Sequence, residues 1–362
     1  MRKIRIISRF TILISLVSLL LTLPVMPIQT SSYKSERNGE DYLHYYNYDK
    51  SMPLNATMTL IEDGNGYKVF KVYFNSINNE RVPAILILPE GEGPFPCIVF
   101  LHGYGGKKEN ILSAVSLASR EGYALISIDA EYHGERREEG KALYSTNLTD
   151  SRRAIIQTVV DLRRAVDYLE TRPEIDEDKI GYVGGSMGGI LGAIFIGVEP
   201  RIKVAVLLVA GGNMSLMIMK SEHPAIPPIR EYIKEANISY SWLQKFMDPV
   251  DPLNFIWRFS PRPVVFHLGK YDNIVPAQAG ELLYQKAGEP KQVYWYDTGH
   301  DLPLDLVIAR TLDFLDRELK GKTFTFHETE YWLLKYGLPV GGAIVIAAIA
   351  ILFIKKIFRR LR

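Results

Sequence analysis

The sequence predicts an α/β domain with a mostly parallel, doubly wound sheet, led into by an antiparallel meander and interrupted late by a helical cap. Three observations predict it. From Pro96 onward, short apolar runs that end near Gly or Asp alternate with segments of helical period, the pattern of buried parallel strands separated by helices. Ahead of them, three strand-like runs follow one another with only turns between them. Between Ile180 and Gly192, in IGYVGGSMGGILG, an apolar strand enters a cluster of glycines around one serine and emerges as a helix.

Each element has a local reason. The chain starts with Arg2, Lys3, Arg5 and Arg9, and is uncharged from Phe10 to Ser32. Residues 1–32 are therefore expected to be a cleaved signal peptide or an uncleaved signal anchor, outside the fold. The stretch from Ser31 to about Lys50 is a polar, aromatic lead-in. ATMTLIED, YKVFKVYFNS and VPAILILPE, separated by Asp63-Gly64-Asn65-Gly66 and Asn78-Asn79, form the meander at one sheet edge. PCIVFLHG and YALISIDA are buried strands on either side of the helix-like KENILSAVSLASREG. In the segment from Asp150 to Glu170, Ile155, Val159, Leu162, Val166 and Leu169 recur every three or four residues, which is one face of a helix. The alternation then repeats: strand 179–183, helix, strand 203–210, a Pro-containing insertion, strand 263–268, helix, strand 292–296 and a final helix 304–319. The α/β domain spans residues 33–320, with the insertion at about 214–261 expected to form a cap over the catalytic edge.

Beyond it, residues 321–337 are expected to be a linker and membrane interface, 338–354 (LPVGGAIVIAAIAILFI) a transmembrane helix, and 355–362 a basic cytoplasmic tail. The apolar length is close to a bilayer core, and Lys355, Lys356, Arg359, Arg360 and Arg362 follow it. The basic tail puts that end in the cytoplasm and the catalytic domain on the extracytoplasmic side of the cell membrane. The N-terminal segment implies the same orientation. Four Asn-X-Ser/Thr sequons, at Asn55, Asn147, Asn213 and Asn237, are compatible with it. The part of this linker from about Lys320 to Tyr331 is short enough to hold the domain within about 40 Å of the membrane.

Composition narrows the function classes. The 362 residues are 47% hydrophobic with a net charge of +2, enough for a large core and too little charge for a nucleic-acid partner. One cysteine, Cys97, excludes an internal disulfide, and its apolar setting in PCIVFL predicts a buried strand thiol. Seven histidines fall in no metal-binding spacing, so neither a metal nor another cofactor is expected.

Gly184-Gly185-Ser186-Met187-Gly188 fits G-x-S-x-G, in which a serine sits on a strained strand-to-helix turn that lifts its hydroxyl out of the sheet. The flanking glycines are needed because a Cβ on either side of the turn would clash. The bare pattern is also common as an ordinary turn. A serine hydroxyl is a poor nucleophile at neutral pH and needs a base, which in turn needs an orienting acid. Asp272 follows the strand PVVFHLG and His300 follows QVYWY. Each therefore lies just past the carboxyl end of a strand, as Ser186 does.

Four motifs carry a resemblance: FLHGYGG at 100–106, YVGGSMGG at 182–189, GKYDNIVP at 269–276 and DTGHD at 297–301. Over roughly Lys68 to Leu319 the chain resembles the α/β-hydrolase superfamily, and within it the dienelactone hydrolase, acetyl xylan esterase and prolyl-oligopeptidase-like group of serine hydrolases. The resemblance implies Ser186 as nucleophile, His300 as general base and then acid, and Asp272 as the residue that holds the imidazole. Dienelactone hydrolases proper carry cysteine at the nucleophile position, so Ser186 argues against that activity. The backbone N–H groups of Met187 and Tyr104, with Gly103 as the near alternative, are expected to form the oxyanion hole.

The other polar candidates are assigned supporting roles. His102, Asp129 and His133 are expected to brace loops, His223 to be exposed on the cap with lining of the entrance as its alternative, and His267 to be a satisfied core histidine. Asp297 and Asp301 flank His300, but the triad order favours Asp272. The expected activity is that of a carboxylesterase or deacetylase working through an acyl-enzyme on a small ester. The runner-up is an oligopeptidase-like enzyme acting on short peptides. A non-catalytic binding module on the same fold is the third reading.

Overall fold

The computed structural model describes residues 42–323, 325 and 327–336. Its centre is one nine-stranded sheet. The strands, in chain order, are β1 (Thr57–Gly64), β2 (Tyr67–Asn75), β3 (Arg81–Pro89), β4 (Phe95–Leu101), β5 (Ala124–Ile128), β6 (Ile175–Gly185), β7 (Val204–Leu208), β8 (Val264–Gly269) and β9 (Lys291–Tyr296). Across the sheet they run β1-β2-β3-β5-β4-β6-β7-β8-β9. The β1–β2, β2–β3 and β3–β5 pairs are antiparallel and every later pair is parallel, as the two kinds of sequence pattern predict.

Helices cover both faces because the inner strands bury both. In β3, Ala84, Leu86 and Leu88 belong to one apolar cluster and Ile85 and Ile87 to the other, the period-2 alternation of a strand. The first cluster packs against α2 (Leu148–Glu170) and α3 (Met187–Val198), and the second against α1 (Val115–Arg120) and α8 (Leu304–Lys320). In α2 the stripe Ile155, Val159, Leu162, Val166 and Leu169 is at most 1% exposed, each side chain contributing about 1.5–3 kcal/mol relative to exposure. Asn147 caps that helix by accepting from the Asp150 N–H at 3.0 Å. Asn213 caps another in the same way, through the Leu216 N–H. Two of the four sequon asparagines thus have a structural use for their side chains.

The insertion is helical: α4 (Met214–Lys220), α5 (Ile226–Glu235) and α6 (Tyr240–Met247), followed by short 3-10 turns to Phe259. Asp251 fastens its start. This buried carboxylate accepts from the N–H groups of Asn213 at 3.0 Å and Met214 at 2.7 Å, and from Gln244 Nε2 at 2.6 Å. After β8 comes α7 (Ala277–Lys286).

Two stretches differ from expectation. The helix read into residues 108–122 is a 3-10 segment, Lys108–Ala114, followed by the short α1. Lys108 is fully buried, its N–H and Nζ both bonded to Asp129, and that tether overrides the local helical period. The second is in the expected linker: α9 (His327–Tyr336) forms there, and its Glu328 receives Arg310 of α8 at 2.8 Å while Tyr331 and Trp332 pack near Tyr294 and Tyr296. Among the described residues no helix is long and apolar enough to cross a membrane. The segments 1–32 and 338–362 lie outside the described residues.

Candidate active site

β6 delivers Ser186 to the carboxyl edge of the sheet at the start of α3. Its φ of 55° and ψ of −119° lie where non-glycine residues are strained, the conformation of a sharp strand-to-helix turn. The neighbouring glycines are a steric requirement. A Cβ on Gly184 would come within 2.5 Å of the Gly188 carbonyl oxygen, and one on Gly188 within 2.1 Å of the Leu101 carbonyl oxygen. The second approach seats the turn against the end of β4. A buried tyrosine holds the turn from below: Tyr182 Oη donates to the Gly188 carbonyl at 2.5 Å.

Asp272 and His300 arrive on the loops after β8 and β9. These loops touch at Gly269, where a Cβ would meet the Gly299 carbonyl oxygen at 2.0 Å. Only glycine allows that approach, and it brings the two side chains together. His300 Nδ1 lies 2.8 Å from Asp272 Oδ2, and His300 Nε2 lies 3.0 Å from Ser186 Oγ. Asp272 is buried, and its Oδ1 accepts from the N–H groups of Ile274 at 2.9 Å and Val275 at 3.0 Å. A carboxylate only accepts, so the imidazole proton sits on Nδ1. Nε2 is left bare to accept from the Ser186 hydroxyl. This arrangement can withdraw the hydroxyl proton as Ser186 attacks an acyl carbon and return it to a leaving group.

The first residue of α3, Met187, has an N–H with no acceptor within its own helix, as first-turn amides do not. The loop after β4 passes close beside it: a Cβ on Gly103 would stand 3.7 Å from Ser186 Cβ, and the Tyr104 ring borders the same cavity as Ser186. The turn is closed by Gly106 N–H donating to the Gly103 carbonyl at 3.0 Å.

His102 and Asp129 tie that loop to the one after β5. His102 Nδ1 donates to the Gly103 carbonyl at 2.8 Å, its Nε2 accepts from Ala130 N–H at 3.2 Å, and burial pushes its pKa down to about 4. Asp129, fully buried, accepts from Lys108 N–H, Lys108 Nζ and Glu135 N–H. His133 is buried against the Glu131 carbonyl, with its pKa lowered by burial. All three brace loops. Asp297 pairs with Lys270 at 2.7 Å on the surface, and Asp301 is exposed. Neither contacts the imidazole.

Two histidines depart from expectation. His223 is not an exposed cap residue: it is half-buried beside Tyr104, with ring centroids 4.9 Å apart, and borders the cavity at Ser186. Its Nδ1 accepts from Ala225 N–H at 3.2 Å, and burial, then nearness to His300, lowers its pKa. His267 is only half satisfied. Its Nδ1 meets Tyr296 Oη at 2.7 Å while its Nε2 has no partner, and burial pushes its pKa down to about 3. Glu121, Asp316 and His327 bring ligand-type atoms within 4.8 Å of one another, a cluster that no sequence spacing announced. Asp316 is already held by Tyr123 Oη at 2.9 Å, Lys320 Nζ at 2.8 Å and Lys322 Nζ at 2.5 Å, which makes the cluster an ion-pair network.

Residues 21–315 match the family described as acetyl xylan esterase (AXE1). The chain belongs to that family. It is a serine hydrolase of carboxylic esters, in common with its esterase relatives. Esterase YjfP of Escherichia coli (strain K12) is 25% identical over 58% of this chain and 82% of its own. Acetyl esterase Axe7A of Xylanibacter ruminicola is 23% identical over 62% of this chain and 54% of its own. Among solved structures, the acetyl xylan esterase from Paenibacillus sp. R4 superposes with a TM-score of 0.66 at 20% identity, covering 77% of this chain and 92% of that one. At that identity the likeness is one of α/β-hydrolase fold.

Proposed function

We propose that this member of the acetyl xylan esterase family is a membrane-tethered, extracytoplasmic carboxylesterase or deacetylase that works through an acyl-enzyme on Ser186. The observation that carries the reading is the continuous relay from Ser186 Oγ through His300 to the buried Asp272 carboxylate, with distances of 3.0 and 2.8 Å. Ser186 Oγ attacks the ester carbonyl carbon as its proton passes to His300 Nε2. Asp272 stabilises the imidazolium that results. The charge on the carbonyl oxygen falls to the backbone N–H groups of Met187 and Tyr104, an interaction typically worth about 10²–10³ in rate per donor. Collapse breaks the bond to the alcohol oxygen, which leaves with the proton from His300. Water then repeats the sequence on the acyl-enzyme and releases the acid.

The tether and the orientation are supported by the apolar run 338–354 with its basic flank and by the basic, then apolar, segment 1–32. The test of the catalytic reading is kinetic. Ser186→Ala and His300→Ala should each lower p-nitrophenyl ester hydrolysis by several powers of ten, and the double variant should be little worse than either, because the groups act as a unit. Hydrolysis at the wild-type rate in either single variant would refute it.

A further inference from the structure

A chamber opens beside Ser186 beneath the cap. Its wall includes Ile155 of α2, Ile190 of α3, Met214 and Met217 of α4, and Ile226 and Ile229 of α5. Among the described residues no Asp, Glu, Lys or Arg borders it. The serine hydroxyls in the wall other than Ser186 are already committed. Ser145 and Ser151 bond to each other and to nearby backbone, and Ser221 donates to the Ile274 carbonyl at 2.5 Å. The other polar groups of the wall, Tyr104, Tyr144 and His223, pack ring against ring at one end, so a sugar ring, with hydroxyls on every side, would lose more hydration against the rest of the wall than it would regain. An alkyl chain has nothing to lose.

The side of the ester that enters can be read from the relay. His300 must hand its proton to the departing alcohol oxygen, so the alcohol lies beside His300. The chamber is bordered by Ser186, Met187 and Tyr104 but not by His300. On its other side His300 reaches the surface: its side chain is 23% exposed, and Tyr271, whose N–H donates to the Thr298 carbonyl in the same loop, is 69% exposed. The acyl group therefore faces the chamber and the alcohol faces solvent.

Size limits the chain. The cavity volume is about 60 Å³, several times the roughly 10–15 Å³ that marks the smallest cavity able to hold a single water, which is room for a short chain. Acetate would leave most of it empty. We propose that the enzyme's substrates are esters of unbranched apolar acids of about four to eight carbons with a solvent-facing alcohol, so that it acts as a carboxylesterase and not as a deacetylase. This rests on the acyl-enzyme reading of Ser186.

The experiment is an acyl-length series on the full-length enzyme in detergent: p-nitrophenyl acetate, butyrate, hexanoate, octanoate and dodecanoate. Active sites are counted in parallel by fluorophosphonate labelling. At about fourfold per buried methylene, kcat/KM should rise at least tenfold from acetate to the optimum, and fall at dodecanoate. Ile229→Phe, which narrows the chamber, should move the optimum towards acetate, and Ile229→Ala should move it towards longer chains. If one variant does not fold, the other still reads the wall. A labelled, active enzyme with highest kcat/KM on acetate and a steady decline thereafter overturns the chamber proposal and leaves the serine hydrolase reading standing. So do folded Ile229 variants whose acyl-length profiles match that of the wild type. An enzyme that neither labels nor hydrolyses any ester overturns both.

Discussion

Replacing Asp272 by Asn tests the proton relay without removing an atom from the site. Asp272 Oδ1 accepts from the N–H groups of Ile274 and Val275, and Oδ2 faces His300 Nδ1. In the Asn variant the amide oxygen should remain on the two N–H groups. Turning it round would set two backbone donors against an NH₂, at about 1–3 kcal/mol for each buried donor left unpaired. The amide nitrogen is thereby held towards Nδ1 with a preference of about 2–6 kcal/mol. It donates there, the imidazole proton moves to Nε2, and Nε2 can no longer accept from Ser186. Recovering the working tautomer costs that same preference, so kcat should fall by between about 30-fold and about 10⁴-fold, with KM little changed. Steady-state p-nitrophenyl ester kinetics, with thermal denaturation as a control, provides the assay. The Tm should stay close to wild type because the backbone contacts survive. Asp297→Asn, made in parallel, should remain within about twofold of wild type, since its side chain pairs only on the surface. A loss under tenfold in the Asp272 variant, or an equal loss in both, would show that Asp272 does not set the His300 tautomer.

Three further outcomes are expected. Gly188→Ala puts a methyl group 2.1 Å from the Leu101 carbonyl oxygen; it should lower stability by about 1–3 kcal/mol and cut kcat at least about 100-fold by displacing the elbow from the loop after β4, and an unaltered rate in thermal and kinetic assays would contradict this. His267 has a pKa of about 3 in the folded chain against an ordinary 6.5, so the unfolded chain binds the extra proton. The stability this confers is complete above pH 6.5 and is lost as pH falls towards 3. Urea denaturation at pH 7 and pH 5 should show His267→Phe losing about 2 kcal/mol less than wild type over that interval; equal losses would remove His267 as a source of acid sensitivity. Finally, the full-length chain should sediment with membranes, with its domain cleaved by protease added to intact cells, while a chain ending at residue 337 and lacking residues 1–32 should be released by lysis; a protected domain would reverse the proposed orientation.

The parts of the structure legible in the sequence are those fixed by local physics. Strands that bury one or both faces declare their period, and the stripe from Ile155 to Leu169 declares a helix whatever surrounds it. The elbow was legible because the Gly184 and Gly188 contacts leave no other residue type room. Asp272 and His300 were legible because each directly follows an apolar strand, which puts both on the carboxyl edge of a parallel sheet where Ser186 also lies. Long-range contacts were not. Tyr182 bracing Gly188 looks like any strand tyrosine, and His223 looks exposed until α4 and α5 fold it over Tyr104. The split of the helix expected at 108–122 depends on Asp129 reaching Lys108 from the next strand. In α9, Glu328 needed Arg310 as a partner, a pairing that residues 321–337 alone do not reveal. The chamber shares this difficulty: its wall comes from helices distant in sequence, and only their packing makes one cavity of them.

The most direct test is to treat the enzyme with a fluorophosphonate at neutral pH and map the adduct by peptide mass spectrometry. One stoichiometric adduct is expected on Ser186, formed much more slowly in the His300→Ala variant. An adduct on any other residue, or a Ser186 that stays unmodified while the enzyme hydrolyses esters, would contradict it.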